Sequence, residues 1–467
     1  MRRLIALAGA LCLIAGMAVS GCSADEGQPL KVSLPETVKG YTPCRIRIIS
    51  PADGEAELRL LDANDNLWRV MRATLQAGEN TVDWDGLGEN LERLFAGPYH
   101  FDVRLTGGDG TEYTAGAKFT ISATTPTLVY ALPSSETLYP DGGEKWFVEY
   151  YVSAACTVVM EVCSGDRLVW RTENTISSED GEAIAWDGRT KRGMKIAPGE
   201  YTLRFYSVKN PGYSFTYPLH AAEGPAPEAE VGRTGPIMPE RGMTEEEIWA
   251  VMMQPSVVID ENSVYKRFDL YEQPNTRSRT VGSLRGATQA LEVLETDGRW
   301  ARVRAWSHSD GKECTGYIRA DKLTVVTPGT RYGLLVDKRD QTMTVFEDGK
   351  VIGKLPVTTG KATGYDLYRE TPAGAFLTNL RMGPTFAQDG YRYEYPIRYD
   401  AGNIIHSVGY VRVGRVRDYS RNLPLLGQKA SHGCVRVSPF VTEDCEINMY
   451  WLWTRLPYHT RVIILDD

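Results

Sequence analysis

Residues 430–436 read Ala430-Ser431-His432-Gly433-Cys434-Val435-Arg436, and 24 residues lie between Ser431 and the histidine of the upstream step Ile404-Ile405-His406-Ser407. A thiol near its reference pKa of about 8.5 is only about 3% thiolate at pH 7. An imidazole that drew it down to about 6 would make it mostly thiolate, worth roughly 2 kcal/mol in available nucleophile. His406 is the candidate for that imidazole, because the apolar Ile404-Ile405 pair ahead of it predicts a buried strand ending at a cleft. Gly433 lets the backbone turn sharply, so that amides beside the sulfur face a developing oxyanion. Arg436 is placed to lock that loop or to meet a substrate carboxylate. Plainer readings stand beside each of these. A lone buried cysteine is usually inert core, and Ser431 is a common turn former. His432 and Cys434 share one face of an extended segment as a metal pair would, with Cys445 or His459 as further ligands. No other ligands recur at metal-like intervals, so neither a metal nor an organic cofactor is expected.

The S-H-G-C-V-R run behind an I-H-S step resembles the catalytic signature of the L,D-transpeptidases, and the rest of residues 331–467 agrees with that resemblance. Thr358-Thr359-Gly360-Lys361 and Thr371-Pro372-Ala373-Gly374-Ala375-Phe376 resemble the family's earlier turns. Leu334-Leu335-Val336-Asp337, Met343-Thr344-Val345-Phe346 and Thr460-Arg461-Val462-Ile463-Ile464 resemble its first two strands and its last. The resemblance implies Cys434 as nucleophile and His406 as general base and acid. It implies His432 and Gly433 as residues that shape the site, and Ser407, Ser431 and Arg436 as supports. It also implies an activity: attack on a peptidoglycan tetrapeptide stem, a thioester, and a 3→3 cross-link to a neighbouring stem, with carbapenems acylating the same sulfur. The interval between His406 and Ser431 is longer than is usual in the family, which places an insertion between Tyr410 and Gln428. Its Arg412, Arg415, Arg417 and Arg421 form either a basic lip over the cleft or a solvated loop. Two rivals remain: a cysteine peptidase or carboxypeptidase using water as acceptor, and a non-catalytic wall-binding scaffold.

Upstream, an internal repeat recurs at an offset of 102 residues. Trp84-Asp85-Gly86 returns as Trp186-Asp187-Gly188, Gly97 and Tyr99 as Gly199 and Tyr201, and Trp68-Arg69 as Trp170-Arg171. Period-2 runs such as Ala56-Glu57-Leu58-Arg59-Leu60-Leu61 alternate with Gly, Asp and Asn turns, which predicts two antiparallel β-sandwiches over 29–122 and 126–222. The WDG…G-x-Y pattern resembles Ig-like modules of flagellar hook-capping and other bacterial surface proteins, and it assigns no chemistry. A spacer arm is the plain reading of the pair, and wall or protein binding the sharper one. Residues 223–262 read as a Pro/Gly/Ala/Glu linker with a short helix. In it Thr244-Glu245-Glu246-Glu247 is a capping box and Ile248, Trp249, Met252 and Met253 are an apolar stripe for packing between domains. Residues 263–326, with strands at Leu270-Tyr271, Glu292-Val293-Leu294, Trp300–Arg304 and Gly316–Arg319, resemble a bacterial SH3-like barrel. The expected fold class is therefore mainly β: two Ig-like sandwiches, a small SH3-like barrel and a C-terminal β-rich transpeptidase domain.

The N-terminus is an address. Met1-Arg2-Arg3 precedes an apolar stretch, Leu4 to Val19, and then Ser20, Gly21 and Cys22, as in a secretory signal. Val19-Ser20-Gly21-Cys22 resembles a bacterial lipobox, which implies cleavage after residue 21, lipidation of Cys22 and an anchor in the membrane. The expected location is the outer face of the bacterial cytoplasmic membrane or the periplasm. Removing 1–21 takes two arginines, so the mature charge is 50 − 60 = −10, against −8 for the whole chain. With a pI near 5.5 there is no strongly basic face for nucleic acid. At 42% hydrophobic and 24% charged, the 467 residues are neither a disordered chain nor a multi-span membrane protein. Beyond Cys12 and Cys22 six cysteines remain, with no C-x-x-C pair and no spacing of a zinc ribbon or a dense disulfide scaffold.

Overall fold

The computed structural model describes residues 29–40, 42–124, 128–142, 146–227, 229–361, 370–379, 381–414 and 416–467. The lipobox and Arg415 lie outside the described residues. The chain is mostly β. In the first unit a three-stranded sheet (Lys31–Ser33, Cys44–Ser50, Gly78–Trp84) faces a five-stranded one built on Gly54–Asp62, Leu67–Leu75, Gly97–Gly107 and Glu112–Thr124. The second unit repeats the plan, with Leu128–Pro133, Trp146–Val152 and Asp180–Trp186 facing the sheet of Cys156–Ser164, Arg167–Ile176, Gly199–Ser207 and Asn210–Ala221. Alternation sets the faces: along Gly97–Gly107, Tyr99, Phe101, Val103 and Leu105 are buried while Asp102, Arg104 and Thr106 are exposed. The repeated WDG motif closes each core in the same way. The Trp84 indole N–H donates to Leu87 O at 2.8 Å and that of Trp186 to Arg189 O at 2.9 Å. Gly86 and Gly188 take left-handed φ of 81° and 74°, where a Cβ would be strained.

One repeat pair does not superpose. Leu60 pairs with Arg69, but Val162, its counterpart 102 residues on, pairs with Trp170 and not with Arg171. The turn from Leu61 to Leu67 is one residue longer than that from Cys163 to Leu168, so the strand after it slips by one. A one-residue slip moves every side chain to the opposite face. The matching Trp-Arg pairs are therefore a likeness of letters and not of position.

The third unit begins earlier than expected. Ser256–Ile259, assigned above to the linker, pairs antiparallel with Leu323–Val326, and Val257 and Ile259 join the core of the barrel-like unit. The rest of that unit is a five-stranded antiparallel sheet spanning Arg267–Arg319. The linker helix forms at Glu245–Met252 with both halves of its capping box: the Thr244 hydroxyl accepts from Glu247 N, and Glu247 accepts from Thr244 N. Its apolar stripe lies on the last domain, where Trp249 stacks on Phe346 at 6.2 Å. Buried Arg461 reaches back to donate to the Met252 and Gln254 carbonyls that end the helix.

The last domain is an eight-stranded sheet in the order Gly374–Leu377, Arg461–Leu465, Tyr332–Asp337, Thr342–Glu347, Lys350–Thr358, Val435–Val437, Ile404–Ser407, Ile397–Arg398. The helix Met449–Arg455 covers its core with Leu452 and Trp453. The sandwiches are not a spacer arm held away from this domain. Tyr130 and Tyr151 of the second unit meet Trp453 at 4.8 and 5.2 Å, and Glu149 pairs with buried Arg381 at 3.2 Å. Trp68 of the first unit meets Phe440 at 5.7 Å. Glu92, also of the first unit, is fully buried and takes hydrogen bonds from Tyr395 OH at 3.2 Å and Asn448 Nδ2 at 3.0 Å. Burial pushes its carboxyl up to about 8, so it is a neutral acid at pH 7. The barrel-like unit joins by Ala290 N donating to Ala375 O at 2.9 Å and by His308 Nε2 at 3.0 Å from the buried Asp400 carboxylate.

Candidate active site

Two neighbouring strands assemble the site. Ile404–Ser407 and Val435–Val437 run parallel, with Ile405 opposite Val435 and His406 opposite Arg436. Continuing that register by one residue sets Cys434 beside Ile404, whose backbone makes a hydrogen bond to the sulfur. Alternation then turns the side chains of Cys434, Arg436 and His406 to one face. Cys434 is half-buried as a residue and His406 is buried at 3% exposure. Edge-on contacts from Phe386 and Tyr393, with ring centres at 5.2 and 4.8 Å, wall in the imidazole.

The cysteine turn is held from both sides. The Ser431 hydroxyl donates to Cys434 O at 2.5 Å and accepts from Gly433 N at 3.2 Å. Thr371 Oγ1 donates to Gly433 O at 2.8 Å and accepts from Gly360 N at 2.8 Å. Ala430 and Ser431 amides both donate to Thr359 O, and Thr359 is in turn held by Gln341. Gly433 has φ of 116°, so the sharp turn expected there requires a glycine. Ser431 is thus the former of the cysteine turn itself, through hydroxyl bonds to the backbone two and three residues on. Ser407 acts through its backbone carbonyl, 2.7 Å from His406 Nδ1, and its hydroxyl is spent on Glu394 N and Val408 O.

The electrostatics differ from the expected ion pair. Burial raises the Cys434 thiol above its ordinary value, against a lowering by the Ile404 hydrogen bond and by the charges of Arg436 and Arg398. Burial pushes His406 down to about 3, with Arg436 adding to the fall and the Ser407 bond opposing it. Burial thus disfavours the charged form of each group, which runs against a resting thiolate–imidazolium pair. The carbonyl at Nδ1 can only accept, so Nδ1 carries the hydrogen and Nε2 keeps its lone pair. That is a proton acceptor waiting for a proton.

His432 is exposed, with Nδ1 3.9 Å from Asp389 in the turn of the Thr385–Gln388/Tyr391–Glu394 hairpin. It stands at the outer edge of the site, opposite that hairpin. Arg436 is buried, its guanidinium 5.5 Å from the Tyr393 ring, where it senses both Cys434 and His406. The two alternative metal ligands lie apart from each other: Cys445 packs beside Ile447, and His459 stacks on Tyr458 at 3.8 Å. Within the insertion, Val411–Val413 and Val416–Asp418 form a hairpin. Arg417 is no part of a lip: it pairs with buried Glu394 and lies over Phe95 of the first sandwich at 3.3 Å. Arg412 and Arg421 are exposed. Phe386, Tyr393 and Thr371 were not singled out as site residues by sequence. For Tyr393 the trace in the sequence is the alternating Tyr391-Arg392-Tyr393 run, which a hairpin strand also shows.

A protein of Bacillus subtilis (strain 168), YciB, named as a candidate L,D-transpeptidase, is 27% identical over 133 residues, or 28% of this chain. The chain spans 63% of the length of that curated relative. Among solved structures, an L,D-transpeptidase from Xylanimonas cellulosilytica is 22% identical, covering 29% of this chain and 60% of its own, with a TM-score of 0.21. L,D-transpeptidase 3 of Mycobacterium tuberculosis, solved with a faropenem-derived adduct, is 18% identical over 39% of this chain and 79% of its own, with a TM-score of 0.23. Residues 331–464, which contain every side chain placed at the site above, match the family model described as the YkuD L,D-transpeptidase catalytic domain.

Proposed function

We propose that this protein is a peptidoglycan L,D-transpeptidase acting through a Cys434 thioester. The observation that carries the reading is the neutral His406 imidazole, tied at Nδ1 to Ser407 O, on the strand beside the half-exposed Cys434. As the sulfur attacks the carbonyl of the third residue of a tetrapeptide stem, its proton passes to Nε2. The resulting imidazolium protonates the amine of the terminal D-alanine, which leaves, and a thioester remains. A side-chain amine of a neighbouring stem then attacks the thioester, gives its proton to His406, and takes the acyl group as a new 3→3 amide with the thiol restored. Two easier steps replace one difficult one. The Gly433 turn, held by Ser431 and Thr371, supports an oxyanion site made of backbone amides.

Incubating the purified chain with defined tetrapeptide muropeptides tests this reading. Cross-linked dimers and free D-alanine are expected, both lost in Cys434→Ala. Trimmed tripeptide alone would move the assignment to a carboxypeptidase, and no turnover would leave a scaffold. A carbapenem should add its mass to the wild type and not to Cys434→Ala. On the same reading Cys22 bears lipid after export and the chain works on the wall side of the membrane. Fractionation of Cys22→Ala cells should then shift the protein from the membrane to the soluble fraction.

A further inference from the structure

The slipped strand of the second sandwich has a chemical consequence. In the first sandwich Arg69 lies opposite Leu60, and its guanidinium sits 2.6 Å from Asp85 and donates to Leu87 O. Cation and carboxylate together close that end of the sandwich. In the second sandwich the slip puts Trp170 in the place of Arg69. Trp170 lies flat on Trp186, ring centres 5.0 Å apart and planes at 27°. Asp187, the counterpart of Asp85, meets the nearby Arg189 in place of a guanidinium from the neighbouring strand, and accepts from Arg189 N at 3.0 Å. Its side chain is 70% exposed, and Arg189 Nε is 3.8 Å away. A cavity of about 890 Å³ opens there, lined by Trp146, Trp170, Trp186, Asp187, Arg189 and Thr190 among others. The Thr190 hydroxyl, inside it, has no partner among the described residues.

We propose that this cavity binds the amino-sugar glycan of the wall. The volume falls within the range of ligand clefts, about 300–1000 Å³; half-buried Trp170 is the indole of the lining with a face to offer, Trp146 and Trp186 being buried, and Asp141, Asp187, Arg189 and Lys191 make its rim polar. A pyranose ring presents a flat face of C–H groups, whose positive edge complements the negative face of an indole. Its hydroxyl and N-acetyl groups need acceptors and donors at the rim, which Asp187, Arg189 and Lys191 supply. The second sandwich would then hold the polymer while the last domain, to which it is fixed through Tyr130, Tyr151 and Glu149, works on the stems. This site needs nothing of the chemistry at Cys434.

The experiment is calorimetric and fluorimetric titration of the full chain, wild type and Cys434→Ala, with N-acetylglucosamine tetramer and with peptide-free glycan strands. Both proteins should bind both probes with quenching of tryptophan emission. Trp170→Arg, which rebuilds the closing pair with Asp187, should weaken binding by about tenfold or more. Asp187→Asn should weaken it less. Neither variant should alter carbapenem acylation of Cys434. No binding of either glycan, equal affinity in Trp170→Arg, or binding of stem peptides alone would overturn the proposal. Loss of acylation in the wild type with glycan binding intact would instead sink only the transpeptidase reading.

Discussion

His406 Nδ1 lies 2.7 Å from the carbonyl oxygen of Ser407, the next residue in its own strand. A carbonyl cannot donate, so this contact selects the tautomer with its lone pair on Nε2. Burial then keeps the ring neutral, down to about 3, while burial also raises the Cys434 thiol. Burial thus opposes the charged form of both groups, the reverse of a stored thiolate beside an imidazolium.

The pH dependence of alkylation distinguishes these states. The rate of Cys434 modification by iodoacetamide should climb through neutrality and continue past pH 9, because its thiol lies above the ordinary value. A plateau near pH 6 would establish a resting ion pair. Stability has its own signature. A histidine held neutral in the fold but free to protonate when unfolded costs stability as pH falls from about 6.5 towards 3. His406→Gln should remove that part of the acid sensitivity.

Thr371 is placed to control the cysteine turn without touching substrate. Thr371→Val keeps the shape but leaves Gly433 O and Gly360 N without their partner. A stability loss of about 1–3 kcal/mol is expected, together with slower carbapenem acylation. Thr371→Ser should recover both. Unchanged acylation in Thr371→Val would remove the hydroxyl from any positioning role.

Glu92 makes the docking of the first sandwich pH-sensitive in the opposite sense. Its folded pKa of about 8 is above its ordinary value, so its contribution is complete below pH 4.5 and is lost as pH rises through 8. Across that window the slope is about 1.4 kcal/mol per pH unit for one proton. Glu92→Gln keeps the Tyr395 and Asn448 contacts and cannot ionise. Urea titrations at pH 5 to 9 should show the variant gaining on the wild type up to pH 8 and parallel to it beyond. A constant difference would mean the carboxyl is already ionised.

The Glu149–Arg381 pair fixes the second sandwich. Arg381, its side chain 2% exposed, also donates to the Trp453 and Leu456 carbonyls and lies over Tyr130. Glu149→Ala leaves a buried cation without its carboxylate and should cost about 3–5 kcal/mol in chemical denaturation. An effect below about 0.5 kcal/mol would show the sandwich to be loosely held.

The parts legible in the sequence are those written in short range. Strand periodicity, the Thr244–Glu247 capping box, the Trp-Asp-Gly turns and the Gly433 bend each depend on residues a few positions apart, and each forms in the structure. The match of residues 331–464 to a transpeptidase family model was likewise legible, since its motifs are short runs. Where the sequence misled, a distant partner or a turn length decided the outcome. Arg417 looked like part of a basic lip until Glu394 and Phe95 claimed it. Ser256–Ile259 looked like linker until Leu323–Val326 paired with it.

The sequence by itself determined that this is a β-rich chain with a repeated module and a C-terminal SHGC motif, because alternation and motif spacing are local properties of a chain. Only the tertiary structure decided that both sandwiches grip the last domain and that burial disfavours the charged forms of Cys434 and His406. It alone put Trp170 where its sister module has Arg69. These depend on burial, and on contacts such as Glu149 with Arg381, 232 residues apart, which no local pattern encodes.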